Sequence, residues 1–339
     1  MESFSEFARM KIFAESNSNA IKLPILMYHY VRPSHKRISI RHKVLDLELF
    51  GQQLEVLATK HAVILGRDLV GQNKSDLFGQ DNIWLTFDDG YRDCVEYVLP
   101  ALLKRGLTGT FFVPTEAIFE RKLLDVNKIH LMISSVENVG KIISATKRYF
   151  IEAEIETIVG ESFDELYLKF GYANEYNDPE NHFVKNLFQK LAPMEVRKSL
   201  LDEIFRQFVQ RSESSWVDEF YMTPDDLRKL VDNGMELGSH GHTHEWLSNL
   251  SAEDQISELT RSFQFLDSVI NSNMTRLIGY PFGSYSVETL GILINLGVKL
   301  GVIHRGARLA NVDFGVADHL ELDRIDIMFF DKFINGEFQ

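Results

Sequence analysis

Cysteine is all but missing from this chain of 339 residues. Cys94 stands alone, so no intrachain disulfide can form and the fold does not rely on an oxidising compartment. Cations are in deficit: 36 Lys+Arg against 49 Asp+Glu give a net charge of −13, which argues against nucleic acid or anionic lipid as a bulk electrostatic partner. Long apolar runs are missing as well. The apolar stretch 291–303 is too short to span a bilayer and is broken by Lys299. The first twenty residues carry Glu2, Glu6, Arg9, Lys11 and Glu15, unlike a secretory signal, so no membrane span is expected and the chain reads as cytoplasmic. No fixed-period repeat or low-complexity tract stands out. What is present is core material. Hydrophobic residues make up 45%, with 25 Phe and 11 Tyr, which excludes disordered and collagen-like classes. The length suits one large α/β domain with an insertion.

Buried-strand runs recur along the chain: Pro24–Val31 (PILMYHYV), Ile83–Phe87, Thr108–Pro114, Met235–His240, Thr275–Pro281, Lys299–His304 and Leu322–Met328. Helical spacing separates them at Asp46–His61, Arg92–Arg105, Thr223–Asn233, Ser251–Ile270 and Val287–Leu296. Thr223-Pro224-Asp225-Asp226 is a helix start with cap, N1 proline and first-turn acids. Strand alternating with helix implies parallel strands with crossover helices. Residues 120–219 break the rhythm; rich in helix formers, Phe, Tyr and charge, they read as a mostly helical insertion. The expected organisation is a flexible N-terminus at 1–20, a β/α unit made of 21–119 and 220–339, and the insertion at 120–219.

Two stretches carry chemistry. Thr86-Phe87-Asp88-Asp89-Gly90 sets two carboxylates at the C-terminal end of a parallel strand, the edge where α/β active sites gather. Ser239-His240-Gly241-His242-Thr243-His244 sets three histidines on a loop after another strand, a composition suited to a borderline metal such as zinc. Spacing leaves the ligand pair open among 240/242, 242/244 and 240/244. One carboxylate with two imidazoles makes a three-donor site with open positions, and the second Asp is left to act as a base. A plain strand-to-helix turn and a polar surface loop are the bland alternatives.

The TFDDG at 86–90, SHGHTH at 239–244 and YPFG at 280–283 resemble the first three motifs of the polysaccharide deacetylases, the NodB-like family also called carbohydrate esterase family 4. PILMYHYV is similar to the start of many members. The resemblance covers roughly 22–119 and 220–330. It implies a distorted (β/α) barrel of about seven parallel strands, a divalent metal, commonly zinc, and removal of an acyl group, usually acetyl, from the nitrogen of an amino sugar in a glycan or glycan precursor. It implies Asp88 as catalytic base, Asp89, His240 and His244 as metal ligands, and the backbone N–H of Phe282 as oxyanion donor.

Two departures stand out. The family's Arg two positions before the motif proline is here Gly279, and Arg324, in the DRID stretch at 323–326, is the candidate to replace it. The usual L-x-H histidine, the acid for the leaving amine, is not evident, which leaves His304 and His29 as candidates. Tyr28, Tyr91, Trp246 and Tyr285 flank the motifs as candidates to stack on sugar rings, with core packing as the bland alternative. The rival functions are a C–N hydrolase of the same fold acting on a non-sugar amide or formamide, and a catalytically inactive member that binds glycan. Retention of Asp88, Asp89, His240 and His244 argues against the latter.

Overall fold

The computed structural model describes residues 20–338 apart from 38–43, 71–73, 78, 175–176, 271–274, 307 and 317. The expected flexible N-terminus therefore lies outside the described residues up to residue 19. Nine short strands form one parallel sheet: β1 (Ile25–Tyr28), β2 (Ala62–Ile64), β3 (Asn82–Phe87), β4 (Thr110–Val113), β5 (Glu236–Ser239), β6 (Leu277–Gly279), β7 (Leu300–Ile303), β8 (His319–Asp323) and β9 (Ile325–Asp326). Their order is β8-β7-β6-β5-β4-β3-β1-β9, with β2 beside the start of β3. Because β8 and β9 are successive parts of one run interrupted only by Arg324, the two ends of the order are the same piece of chain. β8 pairs with β7 and β9 with β1, and the sheet closes into a β/α barrel.

The strands β1, β3, β4 and β5 are buried at every residue, which explains the nearly continuous apolar spelling of the first three. Inside the barrel the Phe112 ring lies against the α-carbons of β5 and β6. A Cβ at Gly238 would sit 2.5 Å from that ring and one at Gly279 would sit 2.9 Å from it. Lower down, Trp84 Nε1 donates to Thr110 Oγ1, and Thr110 in turn donates to Glu236 at 2.6 Å. Buried Glu236 also accepts from the Gly66 and Arg67 amides, so the short helix Gly66–Val70 begins on a carboxylate.

Helix α1 (Leu47–Lys60) starts at Asp46, whose side chain caps Glu48 N. Residues 92–105 hold a π-helical turn, Cys94–Val98, before the α-helix Leu99–Leu103. Pro100, which has no N–H to donate, accounts for the irregularity. Then come the helices that interrupt the barrel: α2 (Asp125–Ser135), α3 (Gly140–Glu152), α4 (Phe163–Phe170), α5 (Pro179–Lys190), α6 (Met194–Phe208) and α7 (Glu213–Phe220). They share a core of Ile129, Met132, Ile142, Phe150, Phe183 and Leu200 among others, which continues to Tyr30 and Tyr91 of the barrel. Fully buried Asn127 ties the two together. Its Nδ2 donates to Tyr30 Oη at 2.6 Å and Tyr91 Oη at 2.9 Å, and Tyr221 Oη donates to its Oδ1. Three crossover helices follow: α8 (Pro224–Asp232), capped by Thr223, α9 (Ala252–Val269), capped by Ser251, and α10 (Val287–Asn295), capped by Ser286.

Each expected strand is present, one of them shifted, but the sequence pattern passes over others, among them Ala62–Ile64 of the sheet and the antiparallel pair Ala20–Leu23 and Ala310–Asp313. The last run starts at His319, ahead of the expected Leu322, and is split at Arg324. Polar His319, Glu321 and Asp323 alternate with buried Leu320 and Leu322, a period-two signal that a search for apolar runs passes over. Among the described residues no helix is long and apolar enough to cross a membrane.

Candidate active site

The strand ends deliver the site. β3 ends at Phe87, and the next residues turn sharply: Asp89 has φ +70° and Gly90 φ +64°. Asp88 N donates to Tyr28 O, which holds the turn over the end of β1. After β5, His240 N donates to Val113 O, while Thr115 N and Glu116 N donate to Gly241 O and His242 O, so this loop is bound to the loop after β4. Glu258 of α9 folds it further. Its Oε1 accepts from His242 N and Thr243 N, both at 2.7 Å, and its Oε2 accepts from Thr243 Oγ1 at 3.0 Å.

These turns bring Asp89, His240 and His244 together. Asp89 Oδ1 is 3.4 Å from His240 Nε2 and 3.3 Å from His244 Nε2, and one donor atom from each of the three lies within 4.8 Å of the others. All three side chains are buried. His240 Nδ1 is 2.6 Å from Gly279 O. A carbonyl only accepts, so Nδ1 carries a proton and Nε2 is the atom turned towards Asp89. Burial pulls the His240 imidazole down, yet the Asp88 and Asp89 carboxylates push it above its ordinary value. Burial raises the Asp89 carboxyl, but hydrogen bonds from His240 and His244 hold it well below the ordinary carboxylate range. The cluster is therefore built to hold positive charge. Two imidazole nitrogens and a carboxylate oxygen, one imidazole fixed by a carbonyl behind it, fit a divalent metal.

Asp88 stands beside this group, with Oδ2 4.0 Å from His240 Nε2. Arg324, at the break between β8 and β9, grips it with both arms: Nη1 to Oδ1 at 2.7 Å and Nη2 to Oδ2 at 2.8 Å. Burial raises the Asp88 carboxyl, and the opposing pull of Arg324, His240 and His29 leaves it below its ordinary value, ionised at neutral pH. The Gly279 departure now has a physical reason. A Cβ there would meet Phe112 at 2.9 Å and His240 Nδ1 at 3.3 Å, so no side chain reaches Asp88 from position 279, and Arg324 arrives from the opposite edge with its guanidinium 5.7 Å from the Phe112 ring.

His29 Nε2 lies 3.9 Å from Asp88 Oδ2 and its side chain is 39% exposed. His304 points its Nδ1 at Arg324 O, 3.3 Å away. Phe282, in the left-handed region at φ +56°, sets its ring edge-on to His244 at 4.7 Å and flat on Trp246 at 4.8 Å. Tyr91 requires a correction. The ring expected to meet substrate is fully buried, stacked on Tyr30 at 3.9 Å and Tyr221 at 6.2 Å; helices absent from the local motif cover it. Tyr28 is buried too, and Tyr285 donates to Glu321. His242 faces away from the cluster, bonded to Thr115 Oγ1 at 2.8 Å and to Glu120 at 3.2 Å. Glu116, Glu120 and His242 form a second close group, but Lys122 and Arg261 pair with its carboxylates.

The sequence model of the polysaccharide deacetylase family matches residues 77–140 and 207–301. These segments contain both carboxylates, the histidine loop and the YPFG turn. The chain is similar to the polysaccharide deacetylase family over these two segments. The stretch left unmatched, 141–206, runs from α3 to α6 of the insertion. The Bacillus subtilis (strain 168) protein YxkH, named for the same family, is 29% identical over 82 residues, 24% of this chain and 29% of that protein's length. Two solved structures share the deacetylase fold. PplD of Streptococcus pyogenes, a deacetylase in complex with acetate, has a TM-score of 0.53 and 20% identity, covering 91% of this chain and 92% of its own. IcaB of Ammonifex degensii has a TM-score of 0.51 and 17% identity, covering 90% and 91%.

The residues that sequence reasoning missed are the holders: Glu258, Asn127, and the pair Arg197 and Glu245. Glu258 left a signal, an acid on the same stripe of α9 as buried Gln255, Leu259 and Ser262. The others join segments too far apart in the chain for any local pattern to show.

Proposed function

We propose that the chain is a metal-dependent amide hydrolase that removes an acyl group, acetyl in the first instance, from the nitrogen of an amino sugar in a glycan or glycan precursor. The reading rests on one observation above the others: an ionised, Arg-gripped carboxylate stands beside a separate Asp-His-His donor set at the mouth of a β/α barrel. In it, 21–119 and 220–339 form the catalytic unit and 120–219 is inserted.

Asp89, His240 and His244 would hold the metal, and their nitrogen-rich set suits zinc. When bound, the ion supplies Lewis acidity towards the amide carbonyl and the attacking water. Asp88 accepts the water proton through its buried carboxylate, which Arg324 orients and keeps ionised. The Phe282 N–H donates to the oxygen that gains charge as the carbonyl carbon becomes tetrahedral. His29 delivers the proton to the departing nitrogen. Of the two candidate histidines it is the one set against Asp88, whereas His304 is turned to the Arg324 carbonyl at the strand break.

The test is to incubate zinc-loaded protein with N-acetylated sugar precursors, glycan oligomers, non-sugar amides and formamides, and to follow the released acid by mass spectrometry. Acetate from an acetylated sugar, abolished by chelator and by Asp88→Asn with zinc retained, supports the reading. Turnover confined to non-sugar amides or formamides overturns the substrate, and glycan binding without turnover overturns the enzyme.

A further inference from the structure

The helical insertion reaches the histidine loop at the residue after His244. Arg197 of α6 places Nη2 2.7 Å from both carboxylate oxygens of Glu245, and its Nη1 donates to Gln189 O at 2.8 Å. Both partners are buried, 5% and 8% exposed. Lys198 adds a contact to Glu245 Oε1 at 3.2 Å. One residue further on, Trp246 lies between the Phe282 ring and the Lys190 ammonium of α5, which is 4.6 Å from the Trp246 ring.

We propose that Arg197 is a positioning residue: through Glu245 the insertion fixes the backbone that aims His244, and so sets the metal affinity of the site. The inference rests on the reading of Asp89, His240 and His244 as metal ligands. The loop is held in two halves. Val113 O and Gly279 O anchor His240, and Glu258 anchors the 242 and 243 amides. His244 comes next, with φ +60°, a conformation a non-glycine residue keeps only when its surroundings impose it. The clamp on the following residue comes from the insertion. A buried ion pair is a poor way to gain stability, since well-packed apolar residues often serve as well, but it fixes one geometry. A stretch between two barrel strands thus acts as part of the site although it supplies no ligand.

The experiment measures the zinc dissociation constant by chelator competition for wild type, Arg197→Met, Arg197→Lys, Glu245→Gln and the swapped pair Arg197→Glu/Glu245→Arg. The thermal midpoint of each metal-free protein serves as the folding control, and the visible spectrum of the cobalt form reports ligand geometry. Arg197→Met and Glu245→Gln are expected to weaken zinc binding about tenfold, in keeping with loss of an outer support to a ligand, and to shift the cobalt bands. Each of these two variants also leaves a buried charge unpaired and should lower the metal-free midpoint, so affinities are compared at a temperature below every midpoint. Lysine should rescue in part, lacking the fork, and the swapped pair should recover most of the affinity. If Arg197→Met does not fold, Glu245→Gln, of nearly unchanged shape, carries the test. Folded variants that bind zinc within twofold of wild type, with unchanged cobalt spectra, overturn the proposal. A wild type that binds no zinc overturns the metal-site reading and this inference with it.

Discussion

Replacing Arg324 by Met tests the core of the site. Both Arg324 and Asp88 side chains are 2% exposed, and two hydrogen bonds of 2.7 and 2.8 Å join them. Methionine keeps much of the bulk and removes the charge, leaving a carboxylate deep in the barrel without its partner. Such a loss costs about 3–5 kcal/mol. The carboxyl can escape part of that penalty by taking up a proton. Burial is the largest influence on its acidity and Arg324 the largest opposing one, so in the variant it moves upward, at about 1.4 kcal/mol per pKa unit. The sign follows. In wild type the lowered Asp88 gives stability above its unfolded pKa, lost as pH falls through the folded value; in the variant the folded state keeps its proton, so the deficit widens as pH rises. Urea unfolding of metal-free protein at several pH values should show a deficit of about 3 kcal/mol or more near neutrality, shrinking towards acid. The proposed deacylation should fall about 100-fold or more if Asp88 acts in it as the base. The double variant Arg324→Met/Asp88→Asn should regain most of the stability and none of the activity. A double variant as unstable as the single one, or a single variant as stable and active as wild type, would refute the reasoning.

Three further perturbations follow from other parts of the fold. Asn127→Leu removes the amide that bonds the hydroxyls of Tyr30, Tyr91 and Tyr221 at the seam between barrel and insertion; Tyr221 keeps the Leu124 amide and Tyr30 and Tyr91 keep each other, so the loss should cost about 1–3 kcal/mol in urea unfolding. Glu258→Gln can no longer accept at both oxygens; zinc affinity should fall with little change in fold, and unchanged affinity would show that the loop holds itself. Burial raises the Glu236 carboxyl above its ordinary value despite hydrogen bonds from Thr110 and the Arg67 and Gly66 amides. The folded state keeps that proton longer than the unfolded chain, so its contribution to stability is full below about pH 4.5 and declines as pH rises through the folded value. The stability difference between wild type and Glu236→Gln, measured against pH, should fall over that interval; a rise would contradict the burial argument.

What could be read from the sequence were the features written in contiguous residues. Asp88-Asp89-Gly90 and His240 to His244 each lie within a few positions, and the apolar runs before them place both on strand ends. The missing Arg at Gly279 was legible, but its cause was not, because the Phe112 ring that fills the space belongs to a strand more than a hundred residues away. Arg324 was legible as a candidate, while its grip on Asp88 spans 236 residues of sequence. Tyr91 misled for the converse reason. It adjoins the carboxylate motif, but whether its ring meets solvent depends on how α2 and α7 pack over it. The helical character of 120–219 followed from composition, whereas its contact with Glu245 depends on the tertiary fold.

The closure of the barrel by one broken run has a consequence for how the molecule comes into being. A ribosome delivers Ile25–Tyr28 and the Asp88 turn long before residues 319–326, and until that last run arrives β1 and β7 are both open edges. The same arrival supplies Arg324, so sheet closure and pairing of the buried Asp88 carboxylate are a single late event of high sequence separation, the kind that folds slowly. A nascent chain halted before residue 319 would carry a complete histidine loop and both aspartates yet have a sticky, half-open barrel, a natural client for chaperones.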